Sequence, residues 1–147
     1  MKLIKRTQAT MTAKMTQFDD NGNEVKGEFD ITFRMPTPEQ RQAIENLPDA
    51  QANVMAKIFA EMTAKAFCQV IVGFEGLLDA EGTPIPCTEA TIQDLLYSDV
   101  GGPFFDAMFS AYLQFVGGRR PKNLPNSPAG GQSESPAVEV AALTTES

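Results

Sequence analysis

The chain has no histidine and no tryptophan, and it has only two cysteines in 147 residues. Each absence removes a class of function. Without imidazole there is no side chain whose ordinary pKa lies near neutrality, so histidine-dependent triads and histidine-containing metal sites are excluded. Cys68 and Cys87 stand apart and form no zinc or redox motif. A reduced pair is the simplest reading, and a bridge would need the fold to bring them together. No stretch approaches the roughly 20 apolar residues of a bilayer span. The opening MKLIKRTQATMT is basic but has no apolar core of a secretory signal. Positive charge is also scarce: 12 Lys and Arg against 19 Asp and Glu give a net charge of -7. That balance argues against a general nucleic-acid binder, which needs a concentrated basic face. It suits solubility or an encounter with a basic partner.

What the chain does hold is phenylalanine, ten residues, and methionine, seven. Methionine fills irregular gaps in cores and suits surfaces that meet partners. The length fits one domain over residues 1–120, with residues 121–147 as a flexible polar tail rich in Pro, Gly, Ser and Ala. Within that tail, Val138 to Leu143 forms a short apolar run able to order against a partner.

Residues 7–17 alternate Ala9, Met11, Ala13 and Met15 with Thr10, Thr12, Lys14 and Thr16, the spacing of a strand with one wet face. A polar turn over 19–27 contains Asn21-Gly22, a hairpin signal. Phe29, Ile31, Phe33 and Met35 then alternate with Asp30, Thr32 and Arg34 as the second strand. Thr37-Pro38-Glu39-Gln40 predicts a helix start with a capping box, and the short helix over 38–47 turns Ile44 and Leu47 inward.

The spacing predicts one long helix from Asp49 to Phe74, with Val54, Met55, Ile58, Phe59, Met62, Ala66, Phe67, Val70 and Ile71 on its apolar face. A loop follows, and its Phe74, Leu77, Leu78 and Ile85 form either a lid on that helix or a docking knob. Thr88 caps a third helix with Ile92, Leu95 and Leu96 inside. The fourth, PFFDAMFSAYLQFV, carries Phe104, Phe105, Met108, Phe109, Tyr112, Leu113 and Val116 and should pack on the long helix. Gly117-Gly118 ends it. The architecture expected is α+β: an N-terminal two-stranded antiparallel hairpin packed on a mostly helical domain of about four helices, with a disordered C-terminal tail.

No constellation assembles a nucleophile, a base and an orienting group. Asp19-Asp20 with Asn21, Asn23 and Glu24 lacks the ligand spacing of a calcium loop and reads as a hairpin tip. Cys68, among Ala, Phe and Val, reads as an inert thiol despite Lys65 nearby. The cluster Arg119, Arg120 and Lys122 is either a cationic end to the fourth helix or a contact for an acidic partner or nucleic acid, for which three charges are a weak signal.

The string from Val70 to Asn123 resembles the tail assembly chaperones of long-tailed, siphovirus-type bacteriophages. Phe74 between Gly73 and Gly76 stands where that family usually has a Trp. Asp79, Gly82, Pro84, Ile85 and Pro86 follow its turn motif, Thr88 its helix start, Ala111-Tyr112 its last helix and Lys122-Asn123 its closing pair. Cys87 stands where the family usually has Phe. The resemblance implies a non-enzymatic protein with no cofactor. It would bind tail tube and tape measure proteins in the host cytoplasm and be absent from the mature virion, with self-association open. The alternative is a structural completion or connector protein retained in the particle. Candidate partner-binding residues are Phe74, Phe105, Met108, Phe109, Tyr112, Arg119 and Arg120.

Overall fold

The computed structural model describes residues 1–47 and 56–121. Strands β1 (Gln8–Phe18) and β2 (Glu24–Arg34) form the N-terminal hairpin. Helices α1 (Pro38–Glu45) and α2 (Lys57–Cys68) come next, then a third strand β3 (Ile71–Glu75). Helices α3 (Glu89–Leu96) and α4 (Gly101–Val116) close the fold. The sheet is antiparallel throughout in the order β1-β2-β3. The class is α+β, as the patterning predicts.

The hairpin register sets Ala9 opposite Phe33, Met11 opposite Ile31 and Ala13 opposite Phe29. All but Ala9 of these six are buried, and together they form the sheet's apolar face. The other face is polar: the Thr10 and Thr32 hydroxyls meet at 2.7 Å, and the Thr12 hydroxyl donates to Asp30 at 3.2 Å. Such cross-strand pairs each contribute a fraction of a kcal/mol, roughly 0.2–1. Pairing runs further than the apolar alternation does, so β2 starts at Glu24 and the turn shrinks to residues 19–23.

That turn is built on Asp19. Its backbone N–H donates to the Asn23 carbonyl at 3.0 Å, its carbonyl accepts from Gly22 at 2.9 Å, and its Oδ1 accepts from the N–H groups of Asn21 and Asn23 at 2.9 and 2.8 Å. Gly22 takes φ +82°, which only glycine adopts without strain. The same loop recurs sixty residues later. Asp79 donates to the Thr83 carbonyl and accepts from Gly82, its Oδ1 accepts from Glu81 and Thr83, and Gly82 takes φ +83°. Asp-x-x-Gly-x is thus a repeated turn module in this chain, and Asn21-Gly22 is only half of its signal.

The long helix does not run through to Phe74. It stops at Cys68, and Ile71–Glu75 is a strand beside β2; residues 49–55 of the expected helix lie outside the described residues. Helical spacing and strand preference compete in VIVGF, and β-branched residues next to an open sheet edge settle it. The Arg34 N–H donates to the Val70 carbonyl at 2.8 Å, a bulge between Thr32 and Phe33 adjusts the register, and Phe74 lies opposite Ile31. The expected apolar face of α2 shifts as well. Phe59, Ala60, Thr63, Ala64, Ala66 and Phe67 are buried, while Ile58 and Met62 are exposed. The small Ala60 and Ala64 side chains suit the close approach of α3, which packs on α2.

The caps form as the sequence predicts. The Thr37 hydroxyl accepts from the Gln40 N–H and the Gln40 side chain accepts from the Thr37 N–H, while the Thr88 hydroxyl accepts from the Thr91 N–H. Helix α4 begins at Gly101, two residues before Pro103, and its main seat is β1 rather than α2. It reaches α2 through rings: Phe59 meets Phe105 at 5.8 Å, and Phe67 meets Phe109 and Tyr112 at 6.2 and 5.6 Å. Leu113 and Met35, expected inside, are exposed, and Phe115 is buried in the core.

Candidate functional site

Both thiols are free, and burial pushes Cys68 and Cys87 above the usual thiol range; Glu89 adds to the effect at Cys68, and Cys68 itself at Cys87. The Cys68 Sγ lies 3.4 Å from the Lys65 carbonyl and 3.6 Å from Glu89 Oε1, either of which can accept its single proton. A thiol held protonated beside a carboxylate is a poor nucleophile. Among the described residues no group of three Cys, Asp or Glu side chains is placed to hold a metal ion, and no helix is long and apolar enough to cross a membrane.

The candidate residues fall into three settings. Met108 and Tyr112 are 0% and 1% exposed, inside the core, where they hold the fold rather than meet a partner. Phe74, Phe105 and Phe109 are partly buried and packed against that core. Phe74 makes edge contacts with Phe29 at 6.1 Å and Phe104 at 6.2 Å, and Phe105 stacks on Phe109 at 5.6 Å. Arg119 and Arg120 are exposed just beyond α4, and Lys122 lies outside the described residues.

The cationic end of α4 is supplied from elsewhere. Arg6 Nη1 donates to the Phe115 carbonyl at 3.2 Å and Nη2 to the Arg119 carbonyl at 2.6 Å, while the guanidinium lies 5.6 Å from the centre of the Phe115 ring. A planar guanidinium can satisfy end-of-helix carbonyls with its edge and cover an aromatic ring with its face at the same time. The contact spans 109 residues of sequence, and no local pattern announces it.

Nine of the ten phenylalanines meet another ring, in two sets: Phe29, Phe74 and Phe104 contact one another, and the other six are joined through Tyr112 in a set reaching from Phe59 to Phe115. The exception is Phe18, 69% exposed at the end of β1. Strand β3 pairs with β2 only from Asp30 onward, so the outer hairpin, Lys14–Phe18 with Glu24–Glu28, continues as a two-stranded ribbon. Every residue of β2 from Glu24 to Glu28 is exposed, Val25 included. This ribbon, with a large ring that the core does not use, is the feature that sequence reasoning missed. The signal was an aromatic residue at the strand's end, out of phase with its apolar face.

The open edge of β1 adds a second surface. The Met35 N–H donates to Thr7 and the Asp19 N–H donates to Asn23, which fixes the odd-numbered residues of β1 as those bonded to β2. The N–H and C=O groups of Thr10, Thr12, Lys14 and Thr16 therefore point away from the sheet. Beside them runs a groove of about 310 Å³ between β1 and α4, floored by Ala107, Ser110, Ala111 and Gln114 and reaching Pro121.

No protein-family model matches the chain, and no curated protein or solved structure is significantly similar to it.

Proposed function

We propose that this protein is a non-enzymatic assembly chaperone of long-tailed bacteriophages, which binds tail tube and tape measure proteins in the host cytoplasm and is left out of the finished particle. The observation that carries this reading is the run from Val70 to Asn123, with its Gly73-Phe74-x-Gly76 turn, its Asp79-x-x-Gly82-x-Pro84-Ile85-Pro86 loop and its Ala111-Tyr112 helix. The geometry supports a binding role. Burial pushes both thiols above their ordinary range, apolar groups face outward, and among the described residues nothing pairs with the outer edge of β1.

The physical logic is that of temporary cover. Tube subunits and tape measure segments carry adhesive surface before they polymerise, and a chaperone has to hold that surface weakly enough to release it. Separate small elements serve this better than one large apolar face, because each detaches at low cost. The ribbon with Phe18 and Val25 offers strand pairing and a ring, and the partly exposed Phe74, the stacked pair Phe105 and Phe109, and the exposed Arg119 offer further small contacts.

Co-purification of the full chain with tube and tape measure proteins, together with tube polymerisation in its presence, tests the proposal. Capture of both proteins and delayed or guided polymerisation are expected. Failure to capture either one overturns it. Mass spectrometry of purified particles separates a chaperone, which is absent from them, from a completion or connector protein, which is retained.

A further inference from the structure

We infer that the groove along the open edge of β1 is a docking site for the chain's own C-terminal stretch 137–143, Ala-Val-Glu-Val-Ala-Ala-Leu, which adds to the sheet as a fourth strand. The inference is independent of the phage reading. It starts from the edge itself. An eleven-residue strand with one side unpaired is an invitation to association, and natural sheets cover, charge or bend such edges. Here the edge carries a single charge between Gln8 and Phe18, at Lys14, and among the described residues nothing pairs with its backbone.

The groove's shape selects the occupant. Its α4 wall repeats at helical spacing through Ala107, Ser110, Ala111 and Gln114, three of them small, while Lys14 and Arg120 also line the groove. Valine or alanine side chains of an extended strand suit that α4 wall. Stretch 137–143 has that composition: two β-branched valines alternate with Ala137, Glu139 and Ala141, and neither Pro nor Gly interrupts it. With Val138 and Val140 turned toward α4, Glu139 falls on the sheet's polar face, beside the cationic Lys14. Seven residues in a strand cover about 23 Å.

The connection is short enough. The described chain ends at Pro121, which itself lines the groove. Residues 122–136 separate it from Ala137, and sixteen steps of extended chain reach at most about 55 Å. A tethered strand also acts at an effective concentration in the millimolar range, so a weak strand contact suffices to fill the site. Any other protein that pairs with β1 then has to displace this stretch first.

Amide hydrogen exchange on the full chain tests the inference, comparing the natural sequence with the double variant Glu139→Pro, Val140→Pro. Adjacent prolines remove a donor from the added strand whichever face meets β1. The Thr10, Thr12 and Lys14 amides are expected to be protected in the natural chain and to exchange at least tenfold faster in the variant. The Met11 and Ala13 amides, which bond to β2, should be unchanged. Equal rates in the two proteins overturn the inference, and so does a uniform acceleration of even and odd positions. Protection that rises with protein concentration also overturns it, because it assigns the strand to a second copy.

Discussion

Gly101 and Gly102 are neighbours with opposite tolerance for a side chain, and this contrast tests the packing of the last two helices. Gly101 is buried at the start of α4, and its N–H donates to the Ser98 carbonyl at 3.0 Å. A methyl carbon added there would lie 1.9 Å from the Leu96 carbonyl oxygen and 2.8 Å from the carbonyl carbon. Both atoms are backbone, at the end of α3, so no side chain can swing aside. Restoring a normal carbon–oxygen distance requires α3 and α4 to part by more than an ångström. That movement would loosen Leu96, Phe104 and Met108, all fully buried. Overpacking a closed core costs about 1–3 kcal/mol, and a clash between two backbones belongs at or above the top of that range. At Gly102 nothing lies within 4 Å, so alanine there should be neutral or gain up to about 1 kcal/mol from reduced freedom of the unfolded chain. For a domain of this size, 3 kcal/mol lowers the melting temperature by roughly 10–20 °C. Thermal unfolding followed by far-ultraviolet circular dichroism reads both variants. If Gly101→Ala melts within about 3 °C of the natural protein, the close α3–α4 joint described above is wrong.

Thr63 is fully buried in α2 and its hydroxyl has no partner among the described residues, so Thr63→Val, which keeps the shape, should raise stability by about 1 kcal/mol in denaturant titration. Arg6→Ala should cost about 1–3 kcal/mol through the two lost carbonyl contacts, and Arg6→Lys should recover less than half of it. The Asp19 carboxyl is held below its ordinary range by the Asn23 N–H, with help from the Asn21 N–H and the Asn23 side chain. Its contribution is therefore present above the unfolded-state value near pH 4 and is lost as the pH falls through the lower folded value. Melting curves should show Asp19→Ala less stable than the natural chain at neutral pH, with the two converging in strong acid. Phe18→Ser with Val25→Thr should leave the melting temperature nearly unchanged while weakening capture of a tail partner in pull-down. Phe105→Glu with Phe109→Glu should abolish either binding or folding; a folded double variant that still captures both tail proteins removes α4 from the binding surface.

Much of the fold is legible in local chemistry. Thr37 and Thr88 mark helix starts because a hydroxyl next to unpaired N–H groups has few other uses, and the alternation through Met11 and Ala13 places one face inside. The Ile71–Glu75 strand is not legible in the same way. Ala66, Phe67, Val70 and Ile71 satisfy a helical stripe as well as they satisfy a strand, and only the vacant side of β2 decides between them. The inward turn of Ala60 and Ala64 instead of Ile58 and Met62 has a similar origin, since a helix rotates to suit its neighbours as well as its own hydropathy. Arg6 escapes for a different reason: its partners are backbone carbonyls 109 residues away, and a carbonyl leaves no mark in a sequence. The surface candidates suffered from counting rings without knowing the helix phase. Met108 and Tyr112 share a stripe with Phe105 and Phe109 but sit one step deeper.

The seat of α4 on β1 also sets a timetable. The hairpin is local and is synthesised first, yet the helix that covers its apolar face ends at Val116, 82 residues after Arg34. At roughly 5–20 residues per second, a ribosome needs about 4–16 s to make that cover. Throughout that interval the apolar face of the hairpin lacks the cover of α4, Phe33 lacks Tyr112 and Phe115, and a lone hairpin is only marginally stable. The nascent chain is thus most adhesive just before its last helix emerges, and a chain cut short before Gly101 would keep that adhesiveness permanently.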